Sequence, residues 1–185
     1  KKVYEPYFKI GTSVSAKNLV SERAKEELKK HYNSITAENG MKPMYYLDAE
    51  ANKANPEKYN LEPALNFDMA RKFLDFAKEN GLSLRGHVLV WHGQTPFWFY
   101  KENYSDDMDA PLVDKETMLA RMEHMIKGVL TFVQTEYPGL IYAWDVVNEA
   151  AEENEEDGWR KRSFWHKIIG EEFVLHAFRF ARKYA

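Results

Sequence analysis

Cysteine is absent from all 185 residues of the chain, which excludes a disulfide framework and a thiolate nucleophile. The same absence fits a reducing or an oxidising compartment equally. No apolar run approaches the roughly 20 residues that cross a bilayer, and the N-terminus carries charges and then aromatics where a signal peptide would place its apolar core. No membrane association is expected. The chain reads as soluble, and it opens at Lys1 without a methionine, as a trimmed polypeptide would. Charge of one sign is scarce as well. A net charge of −3 spread over mixed Lys, Arg, Asp and Glu leaves no basic stripe, so nucleic acid is not an expected partner. Glycine is missing where a nucleotide-binding sheet would need it, since Gly11 stands alone before Thr12-Ser13-Val14. What the chain does hold is 44% hydrophobic and 15% aromatic residues, enough to bury a sizeable core in one domain or part of one, without low complexity.

Strand-like and helix-like segments alternate. Residues 8–14 read as a strand, and Ser21 is placed to cap a helix running to about His31. Residues 33–39 read as a second strand. After a long loop, Asn66 or Asp68 opens a helix in which Met69, Phe73, Phe76 and Ala77 keep the helical period, and Gly81 is placed to end it. Residues 82–91 form a third strand. Asp114 caps a helix with Met118, Met122, Met125, Ile126, Val129, Phe132 and Val133 at helical spacing, stopped by Pro138-Gly139. Residues 140–148 are the fourth strand, and Phe173, Ala177, Phe180, Ala181 and Tyr184 share one face of a last helix. Four strands alternating with four helices need crossover connections, hence a parallel sheet covered by helices. Without a nucleotide-binding turn, an α/β barrel is favoured over an open doubly wound sheet. A (β/α)8 TIM barrel needs eight units and typically about 250 residues. Residues 1–185 therefore read as the N-terminal half of a catalytic barrel, about its first four β/α units, with open edges on the first and fourth strands.

The most specific segment is Trp144-Asp145-Val146-Val147-Asn148-Glu149-Ala150. A β-branched apolar run ending in an adjacent amide and carboxylate suits a buried parallel strand that delivers two polar groups to its C-terminal mouth, where barrels keep their chemistry. Strict alternation would send Asn148 and Glu149 to opposite faces, so both reach one cleft only if the strand ends or bulges there. Asp145, mid-strand, is expected to be buried. The segment closely resembles the acid/base signature of the glycoside hydrolase family 10 xylanases, in which a strand ends Trp-Asp-Val-Val-Asn-Glu. Thr36-Ala37-Glu38-Asn39-Gly40-Met41-Lys42 looks like the same family's second-strand motif, while Phe8-Lys9-Ile10-Gly11 matches its first strand only loosely. The resemblance implies that Glu38, Asn39 and Lys42 hydrogen-bond sugar hydroxyls on the glycone side, a task suited to charged donors and acceptors. The plainer alternative is a Glu38–Lys42 surface pair.

A second sharp match is Arg85-Gly86-His87-Val88-Leu89-Val90-Trp91-His92 with Gln94. His87 and Trp91, four apart, share a strand face, whereas His87 and His92 point oppositely, which argues against a shared metal. Imidazole and indole on one face suit a sugar hydroxyl and the apolar face of a ring, or else a satisfied core pair. The resemblance implies that His87, Trp91 and Gln94 line the subsites nearest the cleavage point, with His92 in support. The aromatics of Pro96-Phe97-Trp98-Phe99-Tyr100 read as a packed loop, and Trp98 stays outside the site. The run Glu152-Glu153 with Glu155-Glu156-Asp157 reads as a solvated face.

The resemblance implies an endo-1,4-β-xylanase acting on xylan or xylo-oligosaccharide with retention, Glu149 as general acid/base and Asn148 holding the 2-hydroxyl. Such chemistry needs two carboxylates and no metal or organic cofactor. The family's nucleophile lies on the seventh strand, outside these residues. A complementary C-terminal half-barrel polypeptide is therefore an expected partner, and the isolated chain is expected to be inactive. An extracellular location is the family's usual one. Two alternatives stay open: a non-catalytic xylan-binding or self-associating half barrel, and a cellulase or mannanase of the same clan.

Overall fold

Caps and turn residues set the local elements before any packing is considered. The computed structural model describes residues 1–185. In chain order the elements are β1 (Gly11–Val14), α1 (Ala16–Val20), α2 (Glu22–His31), β2 (Ser34–Ala37), α3 (Pro43–Tyr46), α4 (Ala49–Ala54), α5 (Pro56–Tyr59) and α6 (Asp68–Glu79). They continue with β3 (Ser83–Trp91), α7 (Lys115–Glu136), β4 (Ile141–Asn148), α8 (Phe164–Ile169) and α9 (Phe173–Tyr184). Ser21 accepts the Ala24 N–H at 3.4 Å and Asp114 the Thr117 N–H at 2.7 Å, each satisfying a first-turn donor of α2 and α7. At α6 the capping position is Phe67, and Asn66 reaches past it to accept the Asp68 N–H at 2.8 Å. Gly81 leaves α6 at φ +61°, a left-handed conformation that glycine adopts without steric cost.

Two expectations need correction. The first strand starts at Gly11 and not at residue 8, because the aromatic N-terminus turns back on itself: the Tyr7 and Phe8 N–H groups both donate to the Tyr4 carbonyl. The loop between β2 and α6 is not bare, since it holds α3, α4 and α5. Proline at the first turn of α3 and α5 and the caps Asp48 and Asn55 start them, each too short for a helical period to show.

The four strands are all parallel and lie in the order β1-β2-β3-β4. Sequence order is the order of successive barrel units, whereas a doubly wound sheet reverses direction at a switch point. Val14 pairs with Ala37, Ile35 with Leu84, His87 with Asp145 and Trp91 with Asn148. Register shifts between Leu84 and Arg85, and between His87 and Val90, curve the β3–β4 pair. At Gly86 a β-carbon would stand 2.3 to 2.6 Å from the Trp144 ring, so glycine is what lets that indole lie across β3.

Two apolar layers join the sheet to its helices. Val14, Ile35 and Leu84 pack on Phe73 and Leu74 of α6, and Leu89 and Val90 pack among Met118, Met122 and the aromatics of the β3–α7 loop. That loop, with short 3₁₀ turns at Phe97–Tyr100 and Glu102–Tyr104, buries Trp98. Arg121 of α7 is wholly buried without a carboxylate, and its guanidinium donates to the carbonyls of Asn60, Phe99 and Lys101 at 2.6 to 3.1 Å. It thereby ties two long loops to one helix. Along β4 the cover is thinner, with apolar hollows of about 290 and 430 Å³ that share Leu130, Trp144 and Ala185.

Candidate active site

At the end of β2 the ladder runs on by one bond, from the Glu38 N–H to the Val14 carbonyl at 2.9 Å, and the chain then turns. Two backbone bonds lash that turn to β3 and the turn after it: the Val88 N–H to the Met41 carbonyl at 3.1 Å and the Met44 N–H to the Gln94 carbonyl at 2.8 Å. They set Lys42 in place, 9% exposed, with its Nζ 3.1 Å from Asn39 Oδ1 and 4.8 Å from the centre of the Trp91 ring. Burial draws the Lys42 ammonium below its ordinary pKa, against the opposing charges of Glu38 and Glu149. Gln94 Nε2 donates to the same Asn39 oxygen at 3.4 Å, while its Oε1 is buried without a partner. Glu38 is exposed at the rim.

On β3, His87 and Trp91 do share a face, with ring centres 6.2 Å apart. His87 Nδ1 lies 3.0 Å from Asp145 Oδ2, and Arg85 clasps the other oxygen of that carboxylate through Nε at 2.9 Å and through Nη2. Asp145 is thus not buried as expected. Its side chain stays 23% exposed on the cleft face of the sheet, where two basic side chains meet it. Burial would raise its pKa, but the hydrogen bonds from Arg85 and His87 outweigh that and hold it below the usual carboxylate range.

β3 ends at Trp91, whose carbonyl accepts the Thr95 hydroxyl at 2.5 Å as the chain turns away. Alternation ends there too, so the neighbours Trp91 and His92 converge. The Trp91 Nε1–H donates to Glu149 Oε2 at 2.9 Å, and His92 Nε2 lies 3.8 Å from the same oxygen. The indole expected to pack on a sugar therefore also grips the Glu149 carboxylate. Burial first, then the charge of Arg160, lowers the His92 pKa, and Glu149 opposes them.

Asn148 is the last residue of β4, and Glu149 follows at φ +52°. The required break in alternation is thus a left-handed residue immediately after the strand, with the Glu149 carboxylate 49% exposed at the mouth. Within the acidic run, Glu153 and Glu156 are exposed, and Glu155 and Asp157 face Lys161 at 3.7 and 2.9 Å. Glu152 departs from the expected solvated face: 17% exposed, it receives Arg160 at 2.7 Å and Arg162 at 2.8 Å. Arg160, which no sequence pattern marked, also donates to the Glu149 carbonyl at 2.9 Å. The mouth so assembled holds the Glu149 carboxylate, the Trp91 indole N–H, the His87 and His92 imidazoles, Lys42 and the amides of Asn39 and Gln94, with Glu38 at the rim and Asn148 at the end of β4. It can deliver a proton and hold hydroxyls, but a double displacement at a sugar needs a second carboxylate, and Asp145 is already engaged.

The sequence profile of Glycosyl hydrolase family 10 matches residues 1–185. Endo-1,4-beta-xylanase B of Butyrivibrio fibrisolvens is 56% identical over 185 residues, covering 100% of this chain and 28% of the relative. Endo-1,4-beta-xylanase A of Thermotoga maritima is 42% identical over 183 residues, covering 99% of this chain and 16% of the relative. Among solved structures, the CBM22-1–GH10 modules of Clostridium thermocellum xylanase 10B with xylohexaose superpose at a TM-score of 0.88 and 34% identity, over 98% of this chain and 36% of theirs. The endo-1,4-beta-xylanase of Caldicellulosiruptor owensensis superposes at 0.79 and 37% identity, over 100% of this chain and 49% of its own. The chain thus spans half or less of the length of these relatives.

Proposed function

The chain belongs to glycosyl hydrolase family 10, and from that premise we propose that the protein it forms part of is an endo-1,4-β-xylanase hydrolysing β-1,4-xylosidic bonds with retention. Its strands and helices are about the first four units of a TIM barrel. One observation carries the reading: Glu149 stands just past the end of β4 with a single carboxylate oxygen held by Trp91 and approached by His92. In this reading Glu149 protonates the departing sugar oxygen and then activates the water that resolves the glycosyl-enzyme. Asn148 holds the 2-hydroxyl, and Glu38, Asn39, Lys42, His87 and Gln94 line the sugar-binding mouth. A second carboxylate acts as nucleophile, about 5 to 5.5 Å from the first as retention requires. It comes from a complementary C-terminal half of the barrel, which also covers the open edge and thin flank of β4. Solved relatives described with xylotriose and xylohexaose support xylan as the substrate. The relatives' shared xylanase naming supports it over cellulose or mannan. An extracellular site of action suits so large a polymer.

The test is to assay residues 1–185 on xylan alone and again with a polypeptide carrying the remaining units. Turnover is expected only in the second case. Robust turnover by the isolated segment that Glu149→Gln abolishes would overturn the half-site assignment, and sugar binding without turnover in both cases would favour a binding module.

A further inference from the structure

Three consecutive carbonyls follow the end of β4, and one residue donates to all of them. Arg160 Nε donates to the Glu149 carbonyl at 2.9 Å, its backbone N–H to Ala150 at 2.9 Å and its Nη2 to Ala151 at 3.3 Å. The remaining arm of the guanidinium, Nη1, donates to Glu152 Oε2 at 2.7 Å, and Arg162 meets the same oxygen at 2.8 Å. The Arg160 and Glu152 side chains are 14% and 17% exposed, so this pair is far less screened than an ordinary surface ion pair. An antiparallel bridge between Ala151 and Trp159 and a bond from the Glu152 N–H to the Gly158 carbonyl at 2.9 Å close the loop. It is a clasp on the strand end.

The clasp bears on Glu149 because that residue is held in a left-handed conformation, which a residue with a side chain keeps only when its surroundings impose it. With its carbonyl held by the guanidinium and its φ at +52°, the Glu149 side chain meets the Trp91 N–H and His92. We propose that Arg160 is the positioning residue of the acid, aiming Glu149 through its backbone carbonyl, with Glu152 orienting the guanidinium. Arg160 bears on His92 as well, since its charge adds to burial in lowering the pKa of that imidazole. The chemical consequence rests on Glu149 being the proton donor, whereas the geometric assignment does not.

The test uses the intact barrel with Arg160→Met, Arg160→Lys and the milder Glu152→Gln. On xylan, whose leaving sugar needs a proton, Arg160→Met is expected to lose about 10- to 100-fold in kcat/KM, the scale of one charge-assisted hydrogen bond. On an aryl xylobioside with an acidic phenol as leaving group, which departs unprotonated, the loss should stay below about threefold. Arg160→Lys should recover part of the xylan rate, and Glu152→Gln should lose less than Arg160→Met with the same substrate bias. A parallel loss on both substrates, or none on xylan, overturns the proposal. A crystal structure of the best-folded variant decides the geometry without any assay. Glu149 should leave its left-handed conformation or its Trp91 contact, and an unchanged φ near +52° with the 2.9 Å bond intact overturns the assignment. If the unaltered enzyme turns over neither substrate, the xylanase reading falls while the crystallographic result still judges Arg160.

Discussion

Two carboxylates, four residues apart, divide the work of one strand. Asp145 lies within β4, where the ladder dictates its direction, with Arg85 and His87 of β3 meeting its two oxygens. Glu149 lies one residue beyond the ladder, with a neutral indole N–H and an imidazole held below its ordinary pKa as its nearest polar neighbours. The first is a committed anion whose partners keep it ionised. The second meets no guanidinium or ammonium group within ion-pair distance, and it faces the cleft from a backbone free of strand alternation. A strand interior thus favours a structural charge, whereas a strand end allows a group that can exchange its proton.

The comparison is broken most severely by Glu149→Gln, which in the complete barrel should lower turnover on xylan by about 10²- to 10⁴-fold, the usual contribution of a general acid. A loss below tenfold would move the acid to another residue. Trp91→Phe removes the N–H that grips the acid and keeps the ring, so kcat/KM should fall by about 10- to 100-fold. Equal affinity for xylo-oligosaccharide in this variant would separate the hydrogen bond from any packing on sugar.

Asp145→Asn should cost less than about fivefold in rate, because a partly exposed pair contributes little. Its signature is in stability. The folded-state pKa of Asp145 lies below the ordinary value of 3.8, so the stabilisation is complete above that value and is lost as pH falls through the lowered one. Thermal midpoints of the intact protein and the variant should differ near neutrality and converge in acid; a gap that persists in acid would assign the effect to shape. The smallest expected change is a titration shift. His92 should titrate below 6.5, because burial and Arg160 disfavour its charged form, so it makes stability rise with pH between its lowered value and 6.5. Glu149→Gln should lower that midpoint further, since Glu149 opposes the shift, and a rise in the NMR titration would contradict the placement of the carboxylate.

Period and punctuation made most of this legible in advance. Asp114 and the methionines after it mark α7, Gly81 marks the end of α6, and the apolar run Val88-Leu89-Val90, wholly buried, marks the last part of β3. Asn39, Gln94 and Glu149 could be named through the resemblance of their segments to family 10 motifs, and the structure sets Asn39 and Gln94 3.4 Å apart and Glu149 just past the end of β4. Other features depend on tertiary geometry. Trp91 offers a flat apolar face and one N–H, and only the position of Glu149 decides what the N–H does. Alternation set His92 opposite His87, but it carries no information past the residue where a strand stops. Arg160 sits in a charged stretch that looks solvated, and its role lies in carbonyls that no side-chain pattern encodes. Phe8, Lys9 and Ile10 alternate as a strand would, yet β1 starts at Gly11, because the stacking of Tyr4 on Phe8 favours a turn.

Strand order equal to sequence order governs how such a chain is made as well as what it becomes. Each strand after the first pairs with a neighbour that has already left the ribosome, and none waits for a distant segment. The entropy of closing each loop is therefore met one unit at a time. Trp91 and His92 precede Glu149 in the chain, so the partners of that carboxylate leave the ribosome before it does.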